Sequence, residues 1–275
     1  MRIGGCSFAF GPKPLAEAAR ILKGFGFQTV DLGACLGNTQ VNPFEASGHP
    51  QETADTVNRC LDDLELERGE CFVLDFGEPL NHPDPEVRRE TQTRFKPLAR
   101  FARLAGFRSV MLIPGIVHHS LGREKSYELA ATELGVLCRI AEDEGVLLNI
   151  EPCEPSVIQD PGDVARMCEE VAGLGLTLDY SHFIDPGYRQ SEVEVLHRYA
   201  RHFHARQAAP GKRVETVAQG TIDFKRVVSL LEQARYEGIV AVEYVECETT
   251  RQCGVDVWQE TPLMRAELVR LSFES

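Results

Sequence analysis

A chain of 275 residues with 43% hydrophobic content can build one large α/β barrel or two small domains. Its formal net charge of −13, from 29 basic and 42 acidic side chains, argues against a nucleic-acid or anionic-membrane partner, because those need clustered Lys and Arg. No apolar run approaches the roughly 18 residues of a membrane helix, the first residues Met1-Arg2-Ile3-Gly4-Gly5-Cys6 lack the apolar core of a signal peptide, and nine Cys without a CxxC pair read as reduced thiols, so a cytoplasmic location is expected.

Taken in order, the pattern predicts strands at 2–6, 29–32, 70–74, 109–113, 147–151, 176–179, 202–205 and 240–245. Helices are predicted at 14–23, 51–64, 85–104, 124–144, 161–171 and 192–200, from 224 onward, and at 257–271. Five junctions, Gly24-Phe25-Gly26-Phe27, Ala105-Gly106-Phe107, Glu144-Gly145-Val146, Gly173-Leu174-Gly175-Leu176 and Glu237-Gly238-Ile239, repeat one device, a Gly just past a helical stretch and then an apolar strand. Asp160-Pro161 is a helix N-cap followed by Pro at the first helical position. Tyr127, Ala130, Ala131, Leu134, Leu137, Cys138 and Ala141 form one apolar stripe, and Phe224, Val227, Val228 and Leu231 form another. Eight strand–helix pairs in a row predict a closed (βα)8 TIM barrel, occupying 1–275 as a single domain. The strand-to-helix links (33–50, 114–123, 180–191, 206–221 and 246–256) are the long ones, and that face carries the active sites of such barrels.

Four consecutive strands end on a ligand-capable side chain: Glu151, Asp179, His204 and Glu243. A charge at the end of a buried strand is costly unless it is paired or holds a metal. Alternation along the strands turns all four inward, with Asn149, Thr177, His202 and Ala241 below them and Phe203, Ala205, Val242 and Tyr244 toward the helices. Three carboxylates and one imidazole form a hard, oxygen-rich set suited to one Mn²⁺ or Mg²⁺ ion, with Co²⁺ also accommodated. Glu151 and Glu243, from strands five and eight, flank that position and are the candidate proton-transfer residues. His182, three residues past Asp179, is placed to donate to a developing oxyanion. Arg206 points inward beside His204 and could hold a hydroxyl or an anionic group, and His118 lies on the same face after strand four. Cys6 and Phe8 are candidate pocket walls, and the single Trp258 is assigned to core packing.

The motifs Asn149-Ile150-Glu151-Pro152, Leu178-Asp179-Tyr180-Ser181-His182, His202-Phe203-His204-Ala205-Arg206, Gly220-Thr221-Ile222-Asp223-Phe224 and Val242-Glu243-Tyr244 occur here in an order that resembles the xylose isomerase-like barrel superfamily. Its sugar phosphate isomerase/epimerase branch, with ketose 3-epimerases, hydroxypyruvate isomerase and inosose dehydratase, is the most similar. The resemblance implies metal ligation by Glu151, Asp179, His204 and Glu243, proton transfer by Glu151 and Glu243, and substrate binding by His182. The epimerases carry an Arg soon after the strand-seven His, for which Arg206 and Arg213 are the candidates here. The implied reaction is isomerisation or epimerisation of a small sugar or polyol ketone through an enediolate, with homo-oligomerisation expected from family habit. A dehydratase or lyase, such as an inosose dehydratase or a subunit cleaving carbon-linked sugars, could use the same residues. An endonuclease IV-like phosphodiesterase would need a multi-metal, His-rich site and a basic groove, which the charge of −13 opposes.

Overall fold

Eight parallel strands close on themselves, in a computed structural model that describes residues 1–36, 40–74 and 76–274. Residues 37–39 of the predicted 33–50 loop lie outside the described residues. The barrel strands are β1 (Arg2–Cys6), β2 (Thr29–Gly33), β3 (Glu67–Val73), β4 (Ser109–Leu112), β5 (Leu147–Ile150), β6 (Leu174–Asp179) and β7 (Ala200–Ala205), followed by a two-stranded hairpin of β8 (Gln207–Ala209) and β9 (Lys212–Glu215), and then β10 (Ile239–Val242), which pairs with β7 and β1 to close the ring. The helices are α1 (Leu15–Gly24), α2 (Pro43–Gly48), α3 (Pro50–Asp62), α4 (Pro85–Leu104), α5 (Arg123–Glu144), α6 (Pro161–Glu170), α7 (Ser181–Ile184), α8 (Gln190–Val193), α9 (Phe224–Gln233), α10 (Glu248–Gln252) and α11 (Val257–Glu274). Among the described residues no helix is long and apolar enough to cross a membrane.

Helices α4, α6 and α9 start where a side chain satisfies one of the first backbone N–H groups. Asp84, Asp160 and Asp223 accept from the amides of Glu86, Asp163 and Arg226. Helix α5 stops at Gly145, whose φ of 81° suits a left-handed cap. The apolar stripes of α5 and α9 are buried as predicted, apart from Ala131, which is partly buried. Trp258 departs from expectation: it is 43% exposed, with its ring against Phe10 and the Lys13 ammonium above it.

Three local readings are corrected. The stretch 192–200 is not one α-helix: α8 gives way at Glu194 to a 3-10 helix through Tyr199, and Ala200 already belongs to β7. Val193 and Leu196 are buried three residues apart, the spacing at which side chains eclipse on a 3-10 helix. Strand eight stops at Val242 rather than 245, and Glu243 follows it with its amide on Ala205 O at 3.1 Å. The 206–221 link contains the β8–β9 hairpin, whose turn carries Pro210-Gly211; its strands are three and four residues long, too short for an alternating pattern to register.

The barrel interior carries alternate residues of each strand, and it is unusually charged. Residue β2 Val30 pairs with β3 Arg68 and Leu32 with Cys71, so β3 holds an extra residue opposite Asp31. That irregularity brings Gly69 so close that a Cβ there would lie 1.9 Å from Asp31 Oδ1, and it lets the Glu70 amide donate to the same oxygen at 2.8 Å. The Glu70 carboxylate accepts from Ser109 Oγ (2.6 Å), Asn149 Nδ2 (2.6 Å) and Thr177 Oγ1 (2.5 Å), so one side chain ties β3 to β4, β5 and β6. Replacing Glu70 with Ala leaves three buried donors without an acceptor and should lower unfolding free energy by about 3 kcal/mol or more. Glu70→Gln, which keeps one acceptor, should cost less. The urea midpoints of both variants against wild type check this, and equal midpoints for wild type and Glu70→Ala would contradict it.

Candidate functional site

The C-terminal ends of β5, β6, β7 and β10 converge on one cluster. Glu151 follows β5 directly, Asp179 ends β6, His204 lies near the end of β7, and Glu243 follows β10. Each is between 1% and 4% exposed. His204 Nδ1 lies 2.9 Å from Glu151 Oε1 and 3.6 Å from Glu243 Oε2. Candidate ligand atoms of Glu151, His204 and Glu243 all fall within 4.8 Å of one another, as do those of Glu151, Asp179 and His182. Asp179 is oriented by the Ser181 amide, which donates to Oδ1 at 2.7 Å from the first turn of α7.

Arg206 enters the same space. Its Nη2 lies 2.8 Å from Asp179 Oδ2 and its Nη1 3.2 Å from Glu243 Oε2, while Nε donates to Ser181 Oγ at 2.8 Å. The two carboxylate oxygens face the guanidinium without the alignment of a hydrogen bond and have no hydrogen-bond partner among the described residues. His182 Nε2 sits 3.1 Å from Arg206 Nη2, 3.6 Å from Asp179 Oδ2 and 3.9 Å from Glu151 Oε1. The structure therefore brings together six of the seven predicted site residues. The seventh, His118, lies apart: its ring contacts Asn81 Oδ1 at 3.3 Å and the edge of His82, and it does not line the cavity above the cluster. Arg213 is turned to Asp185 and Glu154 on the outer loops, so the buried arginine position belongs to Arg206.

The electrostatics follow from burial. Burial pushes the Glu243 carboxyl up to about 7, against the pull of Arg206 and His204. Burial opposes charge on His204, but Glu243 and Glu151 outweigh it and hold the imidazole well above its ordinary value. His182 goes the other way: burial lowers it to about 4 despite Asp179, so it is neutral near pH 7. Three carboxylates faced by one guanidinium leave a deficit of positive charge, which the cluster draws from His204. That deficit, two oxygens without aligned donors and the hard donor set fit a divalent cation. Glu151, Asp179, His204 and Glu243 are the residues that could hold it.

Two functional candidates escaped the sequence reading. Asp31, fully buried on β2, takes His202 Nε2 at 2.6 Å and faces His204 Nε2 across 3.4 Å. Although burial works against it, His202 holds the Asp31 carboxyl well below the usual range. Asp31 thus places a negative charge on the Nε2 side of His204, whose Nδ1 looks toward Glu151 and Glu243, although Nε2 makes no aligned hydrogen bond to it. Its one sequence signal is an acid inside the apolar run Thr29–Gly33. Ser181 is the other, hidden because its role is to hold Arg206 and Asp179 rather than to face a substrate.

A cavity of about 410 Å³ opens over the cluster, lined by Glu151, His182, Arg206 and Glu243 on one side and by Phe8, Leu36 and Phe72 on the other. Phe8 and Phe72 stack at 4.4 Å, and Phe72 lies 5.8 Å from the His204 ring. Cys6, expected as a wall, is fully buried in the interior apolar cluster that includes Phe8 and Phe72.

Comparison with solved structures returns the same barrel. D-psicose 3-epimerase from Clostridium cellulolyticum H10, solved with D-tagatose, superposes with a TM-score of 0.78 at 13% identity, covering 99% of both chains. The 3-keto-D-glucoside 4-epimerase YcjR from E. coli gives 0.74 at 16% identity, covering 98% of this chain and 99% of that one. The IOLI protein with a bound zinc atom gives 0.76 at 15% identity, covering 100% and 99%. At these identities the likeness speaks to the fold. No curated protein sequence matches the chain. The sequence profile of the xylose isomerase-like TIM barrel matches residues 19–262, and the chain belongs to that family.

Proposed function

We propose that the protein is a divalent-cation-dependent isomerase or epimerase of a small, non-phosphorylated sugar or polyol ketone, acting through an enediolate. The observation that carries this reading is the convergence of three buried carboxylates and one imidazole on a charge deficit at the floor of a sugar-sized cavity. A cation of the Mn²⁺ or Mg²⁺ class would supply Lewis-acid polarisation of a carbonyl and its neighbouring hydroxyl. Glu151 and Glu243 reach the cluster from strands with β6 and β7 between them, so one carboxylate can take the carbon-bound proton and the other can return one. His182, kept neutral by burial, offers a hydrogen-bonding edge to a substrate oxygen, with Arg206 beside it. Among the described residues lining the cavity, Arg206 is the lone permanent cation, and Asp179 and Glu243 already engage it. That leaves little to hold a phosphate and supports a neutral carbohydrate. The epimerases among the structural neighbours support the same class.

The purified protein reconstituted with Mn²⁺ should hold one ion per chain by elemental analysis, and Asp179→Ala and His204→Ala should each lose it. Full metal content in both variants would remove the ligand assignment. Asp31→Asn should keep the ligands but weaken Mn²⁺ affinity by about 10- to 100-fold, read as a dissociation constant by calorimetry. An unchanged constant would return Asp31 to a purely structural role.

Glu151→Gln and Glu243→Gln should each lower kcat by roughly 10²- to 10⁴-fold, with metal content measured in parallel. The assay is a ketose panel in D₂O followed by proton NMR. Deuterium next to the carbonyl, or a new epimer or isomer, is the expected result. Loss of a hydroxyl would redirect the assignment to a dehydratase. No product and no exchange across the panel would remove the enediolate reading.

A further inference from the structure

A second cavity, of about 400 Å³, adjoins the one over the cluster, and Leu74 and Cys153 line both. Loops at the same end of the barrel build it: Phe76 and Leu80 after β3, Ile113 and Ile116 after β4, and Pro155 after β5. Two polar side chains in its wall are already engaged. The Thr91 hydroxyl donates to Val87 O within α4, and Glu154 pairs with Arg213 at 3.1 Å. Cys153, two residues past Glu151, is a half-buried thiol at the junction of the two cavities. Leu74, at the junction, is 49% exposed. A lone exposed Leu means little, but one standing between two cavities is placed to touch whatever spans them.

The two lobes differ in chemistry. One sets carboxylates, an imidazole and a guanidinium against the Phe8, Leu36 and Phe72 wall, whereas the other, among the described residues, offers only Thr91, Cys153 and Glu154 as polar side chains in a wall of hydrocarbon. A free sugar has no use for the second lobe, since its hydroxyls would be stripped of water against Phe76, Leu80 and Ile116 without finding partners. We infer that the substrate carries an apolar, ring-sized substituent, with its carbohydrate half on the Glu151–Glu243 cluster and its substituent in the lobe of Phe76, Leu80 and Ile116. This rests on the carbohydrate reading of the cluster and adds the substrate class: a keto sugar that carries an aromatic or similarly apolar group, such as an oxo-glycoside, in preference to the unsubstituted ketone.

The probes are methyl and phenyl 3-oxo-β-D-glucopyranoside, titrated calorimetrically into Mn²⁺-loaded protein. The phenyl compound should bind on the order of tenfold more tightly, as burial of a ring in an apolar lobe requires. Ile116→Asp and Phe76→Asp lie on loops outside the cluster, and each should bring the two ligands to near parity. Their thermal unfolding, followed by circular dichroism, confirms that each is folded, and either folded variant suffices for the comparison. Asp179→Asn should weaken both ligands. If wild type binds both equally and both depend on Asp179, the apolar half is overturned and the carbohydrate reading survives. A phenyl preference that persists in the folded Asp variants likewise overturns the lobe assignment. If phenyl binding falls in Ile116→Asp but is indifferent to Asp179→Asn, the spanning substrate is wrong and the carbohydrate reading fails with it.

Discussion

Five carboxylates inside one barrel set the terms for the rest of the structure. Asp31, Glu70, Glu151, Asp179 and Glu243 are all between 0% and 4% exposed, and each would be strongly destabilising if left uncompensated. Glu70 is met by three neutral donors from three strands. Asp31 is met by His202 and by a backbone amide that is available because Gly69 leaves room for it. These two are complete within the chain and serve the architecture. The upper three are not. Arg206 and His204 supply part of the positive charge, and Asp179 Oδ2 and Glu243 Oε2 stay without aligned partners. The interior therefore grades from a satisfied polar layer into an unsatisfied one at the C-terminal mouth, which is where a barrel can bind and react.

The upper layer was legible in the sequence because its evidence is local. Each ligand-capable residue sits at the end of its own apolar strand, and alternation along that strand decides which way it points. His202 and His204 on one face and Phe203 and Ala205 on the other left one arrangement that kept the imidazoles off the helix layer, and the buried contacts agree. The layer beneath was illegible for the opposite reason. Asp31 meets His202 across 171 positions of sequence, and Glu70 meets Thr177 across 107, so no window of the chain contains the pair. An acid in mid-strand can be noticed, but its partner cannot be named until the barrel has closed. The 192–200 stretch failed for a subtler reason. Burial at Val193 and Leu196 satisfies a 3-10 period and an α period alike, and the deciding fact, that β7 begins at Ala200, is tertiary.

Arg206 is the residue on which the two halves of the mouth turn. Its guanidinium lies between Asp179 and Glu243, and Ser181 holds its Nε, so it cannot swing away without losing three partners. Opposite it stands the Phe8–Phe72 stack, with the apolar lobe beyond Leu74. Charged groups come from the β5, β6, β7 and β10 arc of the barrel, and most of the hydrocarbon comes from β3 and the loops after β1 through β4. An apolar wall facing a charged one excludes water from the space between, and charges acting across such a space are stronger than they would be in solvent. The same wall that would seat an apolar substituent therefore also sharpens the pull of Glu151, Glu243, His182 and Arg206 on any polar group held against it, so recognition and chemistry draw on one asymmetry in how the eight strands are loaded.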